Sequence, residues 1–201
     1  YLIYQCGGFM GLSLFFIGCS VVAFILFFRV AQQAATFSYA FICAVVVLPL
    51  LSYRQEIRPE VFSLLFCGIY LYIVFNVRAR RLPLWFLYIL PFLQLAWVNC
   101  HIFFPLGIFI LLLFTLDAFR TKQFFLEHCI IAACAVGASF ITPFGSAGFF
   151  APFTIFREYG YMIAENQTLM FMLKRFHNPL YIYVGVLAAI AGILFFCTTL
   201  A

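Results

Sequence analysis

No Asp, Glu, Lys or Arg precedes Arg29 and none follows Arg175. Between them, long apolar runs alternate with short charged links, and this spacing limits what the chain can become. Backbone polar groups in apolar surroundings need partners within their own segment or a closed sheet, which leaves helices or barrels. Barrel strands alternate in polarity over about ten residues, whereas these runs are unbroken, so the chain reads as helical. Only 8% of residues are charged and 67% are hydrophobic, with a mean hydropathy of +1.15. Soluble domains carry roughly 25% charged residues. The expectation is an all-α polytopic transmembrane helix bundle of about seven spans. Residues 1–201 read as a single transmembrane domain, an internal fragment of a longer chain without an initiator Met or signal peptide.

The runs place segments at about Gly7–Phe28, Phe37–Tyr53, Val61–Asn76, Leu84–Val98, Pro105–Phe119, Ile130–Ile141 and Pro179–Thr198. Ala31–Thr36 reads as a polar link, and Pro91 as a kink. Thr142-Pro143-Phe144-Gly145 reads as a Pro/Gly breaker. Ala147–Asn178 mixes Phe and Met with charges, which predicts amphipathic helix lying along the interface. Several spans are shorter than the bilayer demands, so flanking link residues are expected to be helical too. The triple-Arg link Arg78–Arg81 is assigned to the cytoplasm. Alternation then puts 54–60, 99–104 and 144–178 on the opposite, extracytoplasmic face.

Every misplaced polar group falls on that face. Trp97-Val98-Asn99-Cys100-His101 stands between two apolar runs, closed by Pro105 and Gly107. Polar and ionisable residues at membrane depth are costly and usually face a cavity, a partner or a substrate. With Arg54, Arg58 and Glu60 before it and Glu165 and Asn166 after it, the set suits an anionic substrate held at an interface. Arginine forks match phosphate oxygens, and histidine exchanges a proton near neutral pH. The same residues also fit plainer roles: Arg54 and Arg58 as snorkelling anchors paired with Glu56 and Glu60, and His101 as a helix cap bonded to a carbonyl. Trp97 reads as a headgroup-level anchor, and His128 and His177 as interface decoration. The eight Cys fall mostly inside apolar runs without a CxxC pair, and they read as small hydrophobic filling, not disulfides or metal ligands. No metal site is expected. The net charge of +5 is too thinly spread for nucleic acid.

Arg58-Pro59-Glu60-Val61-Phe62-Ser63 resembles the helix entry of bacterial membrane glycosyltransferases of the protein-mannosyltransferase-like (family 39, galacturonosyltransferase-like) type. Trp97-Val98-Asn99-Cys100-His101 with Gly107 is similar to their Trp-x-Asn-x-His…Gly turn. Thr142-Pro143-Phe144-Gly145 and Ile163-Ala164-Glu165-Asn166-Gln167 resemble their later motifs, in order, across residues 54 to 168. The resemblance implies a GT-C fold in the bacterial inner membrane. It also implies sugar transfer from a polyprenyl-phosphate donor to an extracytoplasmic acceptor, with no cofactor beyond that lipid-linked substrate. Under it, Arg58 and Arg54 hold the lipid phosphate, and Asn99 and His101 line the donor cavity. Ile102, Phe103 and Thr142 depart from the pattern. The family's acidic motif is not recognisable here; the catalytic base is expected upstream of Tyr1, so none is named.

Two other readings stand beside it: a transporter or flippase-like protein for an anionic lipid or solute, and a non-catalytic membrane subunit whose polar cluster holds helices together.

Overall fold

The computed structural model describes residues 2–52, 57–154 and 168–200. Among these the chain is all helical: α1 Leu2–Ala34, α2 Phe37–Ser52, α3 Glu60–Arg78, a 3-10 stretch Leu84–Ile89 running into α4 Leu90–Cys100, α5 Pro105–Thr121, α6 Phe125–Ala138, α7 Gly145–Thr154, α8 Leu169–Phe176 and α9 Pro179–Leu200. Two of them, α1 and α3, are both long and apolar enough to cross a membrane.

Boundaries differ from the sequence reading where local chemistry favours helix. The polar link at Ala31–Thr36 is absorbed into α1 as far as Ala34, since Gln32 and Gln33 are good helix formers. The helix instead breaks at Gly8, whose φ of 57° and ψ of −154° favour glycine. Helix α6 starts five residues ahead of the expected Ile130, at Phe125. Glu127 is favoured in its first turn by the positive end of the helix dipole. Pro91 does not kink a continuous helix: 3-10 geometry precedes it, and it sits in the first turn of α4, where its missing N–H costs nothing. The rises of the two helix types give Leu84–Cys100 a length of roughly 28 Å, more than α geometry alone would supply. The expected interfacial stretch begins and ends as short helices, α7 and α8, while 155–167 lies outside the described residues. Thr168 caps α8, its hydroxyl accepting from the Phe171 N–H at 3.3 Å.

The core is built by α3, α4, α5 and α6, with α1 laid along α3. Phe16 meets Phe62 while Leu26 and Ala23 meet Gly68, so α1 and α3 run in the same direction. Tyr70, Leu87, Leu90, Trp97, Phe104, Leu111, Ile131 and Ala135 form the buried centre. The periphery is the reverse of a soluble protein's: Phe92, Phe119, Leu126 and Ile193 are each more than 60% exposed.

A polar chain threads the centre. Tyr70 Oη lies 2.8 Å from the Leu90 carbonyl and 2.9 Å from Gln94 Oε1. Gln94 Nε2 donates to the Phe104 carbonyl and to Ser139 Oγ, both at 3.0 Å. Ser139 Oγ then donates to the Ala135 carbonyl at 2.9 Å. Helices α3, α4 and α6 are tied together through one buried amide, and Gly107 on α5 lets that amide in. A Cβ built on Gly107 would lie 2.4 Å from Gln94 Oε1 and 3.0 Å from the Trp97 ring.

Gly107→Ala should therefore lower thermal stability by about 1–3 kcal/mol, the usual cost of overpacking a filled core. Gly137→Ala, where nothing lies within 4 Å, should be neutral or slightly stabilising. Unfolding curves of the two variants in the same detergent check the pair.

Candidate functional site

The start of α3, the α4–α5 turn and the loop after α6 meet at one end of the core. Pro59 caps α3 in helical conformation with Glu60 in its first turn, which sets Ser63 one turn inside the bundle. The chain leaves α4 through His101, extended at φ −158°, and Phe104 and Pro105 start α5.

At this corner the Trp97 indole N–H donates to Ser63 Oγ at 2.9 Å, and Ser63 Oγ lies 2.7 Å from His101 Nδ1. Trp97 is fully buried, stacked on Phe66 and edge-on to Tyr70. It is therefore not the headgroup-level anchor expected from sequence, because its one polar atom has a buried acceptor. An indole can only donate, so Ser63 must accept from it. Ser63 can then give its own hydroxyl proton to His101 Nδ1, the arrangement that goes with a neutral imidazole protonated on Nε2. His101 does not bond a carbonyl through its ring, as a plain cap would; its side chain crosses to α3 instead.

Burial lowers the pKa of His101 below its ordinary value of 6.5, and the nearby Glu60 carboxylate partly offsets this by favouring the cation. Arg58 Nη1 stands 3.9 Å from Glu60 Oε1, a loose pair with both side chains about a third exposed. Such a pair contributes little to stability. Its significance is that a guanidinium, a carboxylate and an imidazole share one corner.

Asn99 lies at the same end and is exposed, and its amide is engaged structurally. Nδ2 donates to the Leu95 carbonyl at 2.8 Å and to the Ile141 carbonyl at 3.0 Å, tying α4 to the loop after α6. In that loop Thr142 Oγ1 accepts from the Phe144 N–H at 3.2 Å, so a hydroxyl does the local capping. Of the residues singled out in the sequence, Arg58, Glu60 and His101 come together here, while Asn99 stands at the same end with its amide turned to the loop after α6. Arg54, Glu165 and Asn166 lie outside the described residues. His128 is buried, with Nδ1 2.8 Å from the Phe124 carbonyl. It is not surface decoration. His177 is exposed and left-handed at the end of α8. Among the described residues no group of three or more His, Cys, Asp or Glu is placed to hold a metal ion.

Sequence reasoning missed Ser63 as a ligand of the histidine, and Gln94, Tyr70 and Ser139 as the polar floor behind it. One signal was there: Gln94 is a lone amide inside an otherwise apolar run.

Comparison with protein-family models, with curated proteins and with solved structures finds no match.

The His101 pKa carries a sign. Its folded value lies below 6.5, so the neutral form is favoured on folding. The stabilisation is complete above the unfolded value and is lost as pH falls through the folded one. Acidification from pH 7.5 to 5 should therefore lower the melting temperature of the wild type more than that of His101→Gln. Ser63→Ala should cost about 1–3 kcal/mol at neutral pH by leaving the buried indole N–H without an acceptor. Thermal melts across pH check both expectations.

Proposed function

We propose that this chain is part of an integral-membrane glycosyltransferase that moves a sugar from a polyprenyl-phosphate donor to an acceptor on the extracytoplasmic face of a bacterial inner membrane. The exposed apolar periphery supports the membrane part of this reading, since Phe and Leu side chains exposed over most helices would be covered by lipid. In that setting the shorter apolar helices would join α1 and α3 as spans of a bundle of about seven, with local bilayer thinning and snorkelling residues making up the missing length.

The single observation that carries the site is the corner where Arg58, Glu60 and His101 gather over the buried Trp97–Ser63 pair. Each has a role in handling a phosphate ester. The Arg58 fork would bind phosphate oxygens and stabilise the charge that develops as the bond from the anomeric carbon to phosphate oxygen breaks. His101, with Nδ1 held by Ser63, would present Nε2–H as a second donor. Glu60 would keep Arg58 oriented. The acceptor hydroxyl forms the new bond to the anomeric carbon, and its proton goes to a general base. Resemblance of the Arg58–Ser63 and Trp97–His101 strings to membrane glycosyltransferases names the reaction; the corner supplies the phosphate-binding chemistry.

Arg58→Lys in the full-length membrane protein should lower transfer from a polyprenyl-phosphate sugar about tenfold to hundredfold. A charge-assisted hydrogen bond contributes about 1.5–3 kcal/mol, and an ammonium lacks the planar fork. Thermal stability should be unchanged, because Pro59 and Glu60 still start α3. Unchanged turnover at unchanged stability would remove Arg58 from the site.

A further inference from the structure

The opposite end of the core holds a groove of about 360 Å³ lined by Val77, Arg80, Arg81, Leu82, Pro83, Leu84 and Phe124. Its walls are the link after α3 and the turn between α5 and α6. Both are set by specific backbone contacts. Arg80 is left-handed at φ 56°, and the Asn76 carbonyl accepts from the N–H groups of both Arg81 (2.8 Å) and Leu82 (3.2 Å). Asn76 is itself buried, its amide donating to the Tyr72 carbonyl at 2.7 Å. Across the groove Lys122 and Phe124 are both left-handed, which turns the chain sharply and puts the Phe124 side chain in the wall.

Charge is unbalanced here. Arg78 forms a two-pronged pair with Asp117, Nε to Oδ2 at 2.8 Å and Nη2 to Oδ1 at 2.9 Å, so that carboxylate is engaged. Among the described residues neither Arg80 nor Arg81 has a salt bridge, and both are exposed on the rim. Below them the lining is apolar. Exposed Trp85, stacked on Phe86 with ring centroids 4.0 Å apart, lies beside the groove in the chain, and exposed Phe125 and Leu126 follow its far wall. Two guanidinium groups over an apolar floor, flanked by a tryptophan, match a molecule with a phosphate at one end and hydrocarbon at the other.

We infer that this groove is a second lipid site, separate from the Arg58–His101 corner, that takes the phosphate headgroup of an anionic phospholipid through Arg80 and Arg81. The inference rests on the chain lying in a membrane and not on its being a transferase. Such a site would fix the depth and orientation of α3 and of the α5–α6 turn through the lipid leaflet on that side.

The test is native mass spectrometry of the full-length protein released from nanodiscs of equal phosphatidylglycerol and phosphatidylcholine. Phosphatidylglycerol should be retained about tenfold over phosphatidylcholine. Arg80→Gln/Arg81→Gln should bring the two to parity, while Lys174→Gln/Arg175→Gln, at residues that do not line the groove, should leave the preference intact. Helical circular dichroism reports whether the double variant folds. If it does not, Arg81→Gln alone decides, with an expected severalfold loss of preference. Equal retention of the two lipids by the wild type, or an unchanged preference in the folded variant, overturns the site. Displacement of the lipid by inorganic phosphate at millimolar concentration overturns the lipid assignment, since the groove would then recognise the phosphate alone. None of these readouts depends on sugar transfer, so failure here and failure of the transferase reading are distinguishable.

Discussion

A single buried amide holds this bundle in register. Gln94 is fully enclosed, yet both of its amide hydrogens and its oxygen have partners on three other segments. Apolar surfaces of Phe, Leu and Ile fit together in many ways, and apolar packing alone does little to select one of them. A polar group that must be satisfied can select, because displacing a helix would leave the amide or the Tyr70 hydroxyl unpartnered in an apolar interior. Gly107 completes the arrangement by letting α5 approach the amide and the Trp97 ring at a distance no side chain would allow.

The candidate site depends on that register. Trp97 lies one helical turn beyond Gln94 on α4, and its indole reaches Ser63 only if α3 and α4 hold their present offset. Ser63 in turn holds His101 at 2.7 Å. The imidazole is thus positioned from inside the bundle, through two neutral hydrogen bonds, while the ionic groups Arg58 and Glu60 remain near the surface. A structural interior and a charged rim therefore meet at His101. At the far end the Asn76 carbonyl and the Arg78–Asp117 pair shape the other basic surface in a similar way.

The helical class was legible because uninterrupted apolar runs admit little else. So was the gathering of residues 58–60 and 99–101 at one end, which follows from alternation alone. Helix ends were less legible. Gln32 and Gln33 looked like loop because they are polar, yet nothing about glutamine terminates a helix, and α1 continues through them. Trp97 was misread for a related reason: tryptophan is common at membrane interfaces, and only the three-dimensional pairing with Ser63 reveals a buried donor. Ser63 was legible only as the end of the Arg58–Ser63 string and not as a partner of His101, since a serine in an apolar helix can satisfy its hydroxyl on its own backbone. Gly107 was noticed as part of a turn, but its actual role, admitting Gln94 and Trp97, depends on a contact 13 residues back along the chain that no local pattern encodes.

The central claim is that the Arg58–His101 corner takes a lipid-borne phosphate. Photo-crosslinking tests it most directly, using a polyprenyl phosphate with a diazirine next to the phosphate, followed by peptide mapping of the full-length protein in membranes. The account predicts label within 57–63 and 99–105, reduced by an excess of unlabelled polyprenyl phosphate and by Arg58→Gln. Label confined to 77–84, or spread over lipid-facing residues without competition, would contradict it.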